Sequence, residues 1–142
     1  MDRTVLRVID ANVNRCREGL RVIEDTARYV HDDARGYQAT RKLRHRVTEI
    51  TLGLYPEILR ERNAVQDSGR TIPEGKRQSL EAVLIANFRR AEEALRVLEE
   101  YARLIAPDAG PSFKEVRYAV YTLEKKMLSN NNEKCKMKSV KQ

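Results

Sequence analysis

The sequence has few of the residues from which metal centres, nucleophilic triads and disulfide frameworks are built. It contains two histidines and two cysteines, and their spacing matches neither a zinc site nor a disulfide framework. No glycine-rich phosphate loop or dinucleotide-binding turn is present, and no flanking signature marks the nucleophile of a triad. These absences argue against a zinc enzyme, a triad hydrolase and a secreted disulfide scaffold, and they favour a reducing compartment.

Long apolar segments are also lacking. No run approaches the length that a transmembrane helix needs, and the N-terminus has no apolar segment typical of a signal peptide. We therefore expect a soluble, cytoplasmic protein with no membrane partner.

Positive charge is present but moderate. The formal net charge is +7, and residues 129–142 supply +3 of it through four lysines and one glutamate, which leaves +4 for the rest. Such an excess suits phosphorylated small molecules as well as nucleic acid. A basic run at residues 41–46 and a pI near 9.6 keep a nucleic-acid-binding protein as an alternative, although acidic residues interleave with arginine along the chain.

Aromatic residues are scarce at 6%, whereas charged residues reach 35% and leucine, valine and alanine recur at helical spacing. In the first thirty residues a continuous apolar row alternates steps of three and four, as one side of a long helix does. The row consists of Leu6, Ile9, Val13, Cys16, Leu20, Ile23, Ala27 and Val30. The sequence therefore predicts an all-α protein, a bundle of long amphipathic helices.

An internal repeat organises the chain. Residues 86–105 align with residues 11–30 without a gap, and ten of the twenty positions are identical. The second helices correspond as well after a contraction of two residues, with Leu43–His45 aligned to Val116–Tyr118. A period this long is not that of a small solenoid repeat. We predict two helical hairpins related by a pseudo-two-fold axis.

The predicted domain spans residues 1–128, with the two halves at about residues 5–54 and 76–128. Helices are expected at about residues 3–31, 34–54, 76–105 and 112–128, with a short turn at 56–61. The central connection contains a long irregular loop, residues 62–75, of the kind that is usually functional or mobile. Residues 129–142 form a polar tail that we expect to be disordered.

Polar residues interrupt the row beside the apolar seam. Asn12 and Arg15 lie one turn apart on the same face, and they recur in the second half as Asn87 and Arg90. An amide suits the edge of a heterocycle, and a guanidinium suits phosphate oxygens. We expect these residues to bind substrate, with hydrogen bonds across the pseudo-two-fold axis as the structural alternative.

Charged residues form two further candidate groups. Arg21, Glu24 and Arg28 recur as Arg96, Glu99 and Arg103, and their spacing suits either a ligand site or a solvated ladder of ion pairs. The second group is the basic run around Lys42, Arg44 and His45, in which Lys42 and His45 share a face. A solvated surface explains that run equally well.

The central loop supplies one candidate carboxylate. Asp67 precedes Ser68 and Gly69, so backbone amides there could meet an anion while the carboxylate holds Mg²⁺. An Asx-turn accounts for the same residues without any function.

Four segments together resemble a known family. They are DANVNRCREGLRVIEDTARYVHDDA at residues 10–34, KLRH at 42–45, RNAVQDSG at 62–69 and EALRVLEEYARL at 93–104. This pattern, which covers about residues 5–128, resembles the all-helical hydroxymethylpyrimidine-phosphate kinase family of thiamin biosynthesis. Members of that family are free-standing or fused in front of a thiamine-phosphate synthase. In the loop, Asn63 and Ser68 stand where the resemblance implies Asp and Val.

The resemblance implies an enzyme that uses ATP and Mg²⁺ to phosphorylate 4-amino-5-hydroxymethyl-2-methylpyrimidine phosphate to the pyrophosphate. The implied roles are phosphate binding and catalysis by Arg15, Arg44 and Arg90, recognition of the pyrimidine by Asn12 or Asn87, and metal binding by Asp67 and Glu24. Arg21, Lys42 and His45 complete the expected substrate site.

The expected partners are the pyrimidine monophosphate and ATP. Contact with a separate thiamine-phosphate synthase is expected from the resemblance, because the sequence ends before a barrel could begin, and a homodimer is left open. A non-catalytic helical module that binds a phosphorylated pyrimidine or the synthase is the main alternative. A nucleic-acid-binding protein is the second.

Overall fold

The computed structural model of the protein describes residues 2–140, with side chains described for residues 2–130. These residues form five helices and no strand, which confirms the all-α prediction. The helices are α1 (Arg3–Asp25), α2 (Ala34–Thr51), α3 (Tyr55–Glu61), α4 (Leu80–Ile105) and α5 (Ala109–Val140). No helix in the described part of the chain is long and apolar enough to cross a bilayer.

Side-chain caps fix where three of the helices begin. The carboxylate of Asp2 accepts the amide of Thr4 at 2.8 Å at the start of α1, and Asp33 accepts the amide of Gly36 at 2.9 Å in α2. Ser79 caps α4 through the amide of Ala82 at 3.0 Å. Each cap satisfies an amide that has no partner within its helix.

The four long helices pack in a square. α1 packs on α4, α2 on α5, and each half forms a hairpin, α1 with α2 and α4 with α5. The apolar row predicted for α1 is buried except at Val30, and it meets the corresponding row of α4, which includes Phe88, Leu95 and Leu98. Gly19 permits the close approach of the two helices, since a Cβ there would lie 3.0 Å from the carbonyl oxygen of Asn87.

A buried ion pair joins the two helices of each hairpin. In the first half, Arg44 of α2 donates from Nε and Nη2 to the carboxylate of Glu24 at 3.2 and 3.3 Å. In the second half, Arg117 of α5 makes the same two-pronged contact with Glu99. These are equivalent residues of the repeat, so the repeat extends to a polar contact in the interior.

Several boundaries differ from the prediction. A π-helical turn, Thr26–Val30, closes the end of α1. α4 begins at Leu80, not near residue 76, because Ser79 provides the cap. α5 begins at Ala109, three residues before Ser112, since Pro111 is tolerated in a first helical turn.

The end of α5 also differs from the prediction. The helix continues to Val140 beyond the end expected near Leu128, in a stretch with neither proline nor glycine to stop it. The disorder predicted for residues 129–142 falls mainly outside the residues whose side chains are described, and it stays a prediction.

Candidate functional site

A cleft of about 650 Å³ runs between the first half of α1 and the loop that follows α3. We call it the α1 cleft. It brings together three arginines, three carboxylates and three side-chain amides with a few small or apolar residues. Its lining comprises Thr4, Arg7, Val8, Asp10, Ala11, Asn12, Asn14, Arg15, Glu18, Arg62, Asn63, Ala64 and Asp67.

An ion pair that the sequence analysis did not single out anchors the loop to α1. Arg62 donates to the carboxylate of Asp10 from Nε at 2.9 Å and from Nη2 at 2.7 Å, and Asn14 donates to the same carboxylate at 3.3 Å. The hydrogen bond to Asp10 raises the pKa of Arg62. The sequence offers one signal: Asp10 stands where the repeat has Ile85, so the first half alone carries a carboxylate at this position, and the structure buries it.

Asn12 and Arg15 both line this cleft, on the shared helix face that their spacing predicts. Asn12 is buried and donates from its amide to the carbonyl of Val8 at 2.9 Å. Its amide oxygen accepts Nη1 of Arg15 at 3.5 Å, while Arg15 itself is exposed. The expected alternative, a hydrogen bond across the pseudo-two-fold axis, is not formed by the Asn12 side chain within the described part of the chain. The buried amide therefore orients the guanidinium, which remains open to a ligand.

Asp67 lies on the loop side of the same cleft. One of its carboxylate oxygens accepts the amide of Gly69 at 2.9 Å, which is the Asx-turn considered from the sequence. Its other oxygen has no hydrogen-bond partner among the described residues. The Asx-turn and a metal-binding role for Asp67 are therefore compatible with each other, because the turn places the carboxylate at the rim of the cleft.

The second-half counterparts do not join this cleft. Asn87 repeats the local geometry of Asn12 by donating to the carbonyl of Val83 at 2.8 Å. It lies opposite Gly19, seven residues and roughly 10 Å along α1 from Asn12. Arg90 is exposed on α4 and is not part of the lining. The expectation that both Asn–Arg pairs form one site is therefore not supported.

The structure also separates Glu24 and Arg44 from Asp67. Glu24 lies twelve residues, roughly 18 Å, along α1 from Asn12, and its side chain is 1% exposed beneath Arg44. Asp67 lines the α1 cleft, whereas Glu24 lies outside that lining and is bound to Arg44, so the structure does not bring the two carboxylates to one metal site. The repeat explains the role of Glu24 and Arg44 better, because Glu99 and Arg117 make the same contact in the other hairpin.

The remaining predicted residues lie on solvated faces. Arg21 is exposed and forms ion pairs along its own helix with Glu24 at 3.1 Å and Asp25 at 3.5 Å. Lys42 and His45 are exposed on α2 and do not line the α1 cleft. For these three residues the solvated-surface interpretation fits the structure better than a substrate site.

The charges of the α1 cleft suit an anionic ligand that brings a cation. Arg7 and Arg15 offer guanidinium groups, and Glu18 and Asp67 offer carboxylates that are not bound to Arg62. No three histidine, cysteine, aspartate or glutamate residues of the described chain are close enough to hold a metal alone. Mg²⁺ is commonly held by one or two carboxylates together with phosphate oxygens of the substrate. The site is therefore suited to a phosphate ester with its metal ion.

Comparisons with known proteins place this architecture in a family. The model of the ThiD2 family matches residues 7–126. A thiamine-phosphate synthase of Nostoc punctiforme is 39% identical over 133 residues, which cover 92% of this chain and 37% of that protein. One from Thermosynechococcus vestitus is 42% identical over 129 residues, 87% of this chain and 35% of that protein. The chain thus spans little more than a third of these relatives. No solved structure matches it significantly.

Proposed function

We propose, since the chain belongs to the ThiD2 family, that it acts in thiamin biosynthesis as a phosphotransferase. The proposed reaction transfers the γ-phosphoryl group of ATP, with Mg²⁺, to 4-amino-5-hydroxymethyl-2-methylpyrimidine phosphate. The product, a pyrophosphate ester, is the kind of activated pyrimidine that a thiamine-phosphate synthase joins to thiazole phosphate. Relatives named thiamine-phosphate synthase support the pathway, and the specific reaction is our inference from the site and from the family resemblance.

The observation that carries the proposal is the composition of the α1 cleft. Guanidinium groups, carboxylates and the hydrogen-bonded Asn12–Arg15 pair line one concave surface. Phosphoryl transfer depends on positioning two phosphates and stabilising their charge more than on covalent catalysis. The cleft offers those functions, and the absence of a triad or a zinc centre from the sequence pattern is no obstacle to them.

Among the arginines, Arg15 is the residue that we assign to the transferred phosphoryl group. Arg15 is exposed and lines the cleft. Its Nη1 donates to the amide oxygen of Asn12 at 3.5 Å. Asn12 is 4% exposed, so we assign it to positioning Arg15 and no longer to reading the pyrimidine. Arg7 also lines the cleft, about two helical turns before Arg15 on α1, and is a second candidate for phosphate binding.

The carboxylates fit a magnesium ion that arrives with the nucleotide. Asp67 has one oxygen fixed by the amide of Gly69, and its other oxygen is available at the rim, with Glu18 also in the lining. These two residues would hold the ion, which neutralises charge on the phosphates when it is bound. Asp10 is not assigned to the metal, because Arg62 occupies both of its oxygens.

The reaction needs no general base. An oxygen of the acceptor phosphate is ionised at neutral pH; it forms the new bond to the γ-phosphorus as the bond between that phosphorus and the bridging oxygen of ADP breaks. ADP leaves with the electron pair of the broken bond. The residues of the chain bind both phosphates, align them and exclude water, which is how positioning accelerates such a transfer.

A non-catalytic module is the second candidate function. One observation favours it: the chain aligns with only 37% of the Nostoc punctiforme synthase, so the matching part of that protein is one portion of a longer chain. In that case the domain would hold the phosphorylated pyrimidine or dock on a synthase. Contact with a synthase and a homodimer are compatible with either function.

A coupled assay distinguishes the two. The protein is mixed with Mg-ATP and the pyrimidine monophosphate, and then with a thiamine-phosphate synthase that lacks this domain and with thiazole phosphate. We expect thiamin phosphate, and none when the unphosphorylated alcohol replaces the monophosphate. Stabilisation of the protein by the monophosphate without consumption of ATP would instead support the module.

A further inference from the structure

A second, smaller pocket adjoins the α1 cleft. Its volume is about 160 Å³, and Asp10, Asn14 and Arg62 line both spaces. The Asp10–Arg62 ion pair thus forms part of the wall between them. The pocket is completed by residues of α1, α2 and α3, among them Arg17, Thr51 and Tyr55. We call it the Arg17 pocket.

Arg17 is the reason to consider a ligand here. Its Nε is buried and has no hydrogen-bond partner. A buried donor without a partner costs about 1–3 kcal/mol, more when the group is charged, so its presence in a folded protein needs a physical explanation. Arg17 lines the pocket, so its guanidinium group borders the space in which an acceptor would bind.

The internal repeat shows that this feature belongs to one half only. The position of Arg17 in the first half corresponds to Glu92 in the second, and Thr51 corresponds to Glu124. Glu92 is buried, and burial together with the nearby charge of Glu124 raises the pKa of its carboxyl group. At equivalent positions, the first half thus carries a cation and the second half carries two acidic residues. Only the first-half location is electrostatically suited to an anion.

The charge inside the pocket is positive once contacts are considered. Asp10 is the acidic residue of the lining, and its two oxygens already accept Nε and Nη2 of Arg62. Arg62 still has Nη1, and the guanidinium group of Arg17 borders the pocket. Thr51 is uncharged, and its hydroxyl group donates to the carbonyl of Val47 at 3.1 Å. The two arginines remain as donors toward a shared ligand.

We propose that the Arg17 pocket is a separate subsite for a single phosphate group, bound by Arg17 and Arg62. A volume of about 160 Å³ has room for roughly five groups of the size of water, which is the number of heavy atoms in a phosphate and too few for a triphosphate. The subsite rests on the proposed function only for the identity of the molecule that carries the phosphate. With the nucleotide in the larger α1 cleft, Arg62 would border both ligands, because it lines both spaces.

Binding of inorganic phosphate to the purified full chain, measured by isothermal titration calorimetry, tests the subsite directly. We expect Arg17→Gln to weaken binding at least tenfold and Arg17→Lys to weaken it less. Arg35→Gln is the matched control: it removes one positive charge from an exposed position on α2, thirteen residues and roughly 20 Å from Thr48 of the pocket. The control should stay within twofold of the wild type.

Two results would overturn the subsite: no phosphate binding by the wild type, or equal weakening by Arg17→Gln and Arg35→Gln. Circular dichroism establishes that each variant is folded, and if Arg17→Gln does not fold, the comparison of Arg17→Lys with Arg35→Gln decides.

Competition identifies the source of the phosphate. We expect the pyrimidine monophosphate to displace inorganic phosphate in the wild type, while ADP leaves it bound. Displacement by ADP alone would assign the phosphate to the nucleotide and would overturn the arrangement of the two substrates. Phosphate binding that depends on Arg17 without kinase activity would keep the subsite and reject the proposed reaction. Kinase activity that Arg17→Gln leaves unchanged would instead keep the proposed reaction and reject the subsite.

Discussion

Each hairpin contains one buried Glu–Arg pair. Breaking either pair should lower the free energy of unfolding, and we expect the loss to be larger in the second hairpin. Replacing Arg44 or Arg117 with leucine leaves a buried carboxylate behind, and breaking such a pair typically costs about 3–5 kcal/mol. Glu24 would still accept Nη1 of Arg21 at 3.1 Å, whereas Glu99 would keep only Arg96, at 3.9 Å. We therefore expect about 2–3 kcal/mol for Arg44→Leu and about 3–4 kcal/mol for Arg117→Leu.

Urea denaturation followed by circular dichroism measures these differences. A loss of about 3 kcal/mol corresponds to a decrease in melting temperature of roughly 10–15 °C for a domain of this size. Arg46→Leu is the control, because Arg46 and Glu49 form an ion pair in which both side chains are about half exposed or more; its effect should stay within about 0.5 kcal/mol. The double variant Glu24→Leu with Arg44→Leu should recover much of the loss, since no charge remains buried.

If the free energy of unfolding of Arg44→Leu lies within about 0.5 kcal/mol of the wild type, the buried Glu24–Arg44 pair does not stabilise its hairpin. If that stable variant also lost phosphotransferase activity, Arg44 would be the catalytic arginine that the sequence suggested. Loss of stability in both hairpins, with Arg117→Leu the more severe, would instead establish the pairs as structural.

Three further predictions concern single residues. Arg15→Ala should keep the helical circular-dichroism signal while kcat/KM falls by about 10²–10³, and its repeat counterpart Arg90→Ala should change the rate less than twofold; equal losses would contradict the site. Burial raises the pKa of the Cys16 thiol to about 12, so in a Cys135→Ser background mass spectrometry should detect alkylation of Cys16 near pH 8 only after urea is added. Burial and the nearby charge of Glu124 raise the pKa of Glu92 to about 8 from 4.5, so the folded protein retains a proton that the unfolded chain releases, and stability falls as the pH rises between these values. Glu92→Gln should flatten that part of the melting-temperature profile, and an unchanged slope would exclude Glu92 as its cause.

The fold was largely predictable because the repeat and the apolar periodicity are local signals. The row from Leu6 to Ala27 is buried as its spacing predicts, and the helix class follows from it. The ends of helices were less predictable, because they depend on contacts of a few atoms. α4 begins at Leu80 because Ser79 caps it, and α5 begins at Ala109, so that Pro111 lies within its first turn.

The candidate site was predictable only in part. Asn12 and Arg15 were identified because they interrupt an apolar row, and the structure places both at the α1 cleft. Arg62 and Asp10 were missed because their contact joins positions 52 residues apart, and spacing along one helix carries no information on such a contact. Identity between the repeats was also misleading for Arg90, which matches Arg15 in sequence but lacks the loop that completes the cleft in the first half.

Phosphorus-31 NMR of the complete reaction tests the central claim most directly. The wild-type protein is incubated with Mg-ATP and 4-amino-5-hydroxymethyl-2-methylpyrimidine phosphate, with Arg15→Ala in a parallel sample. We predict that the monophosphate signal is replaced by the two coupled signals of a pyrophosphate ester, in amounts equal to the ADP formed, and that the variant forms far less of both. Intact ATP in the presence of folded wild-type protein, or release of inorganic phosphate without the ester, would contradict the assignment.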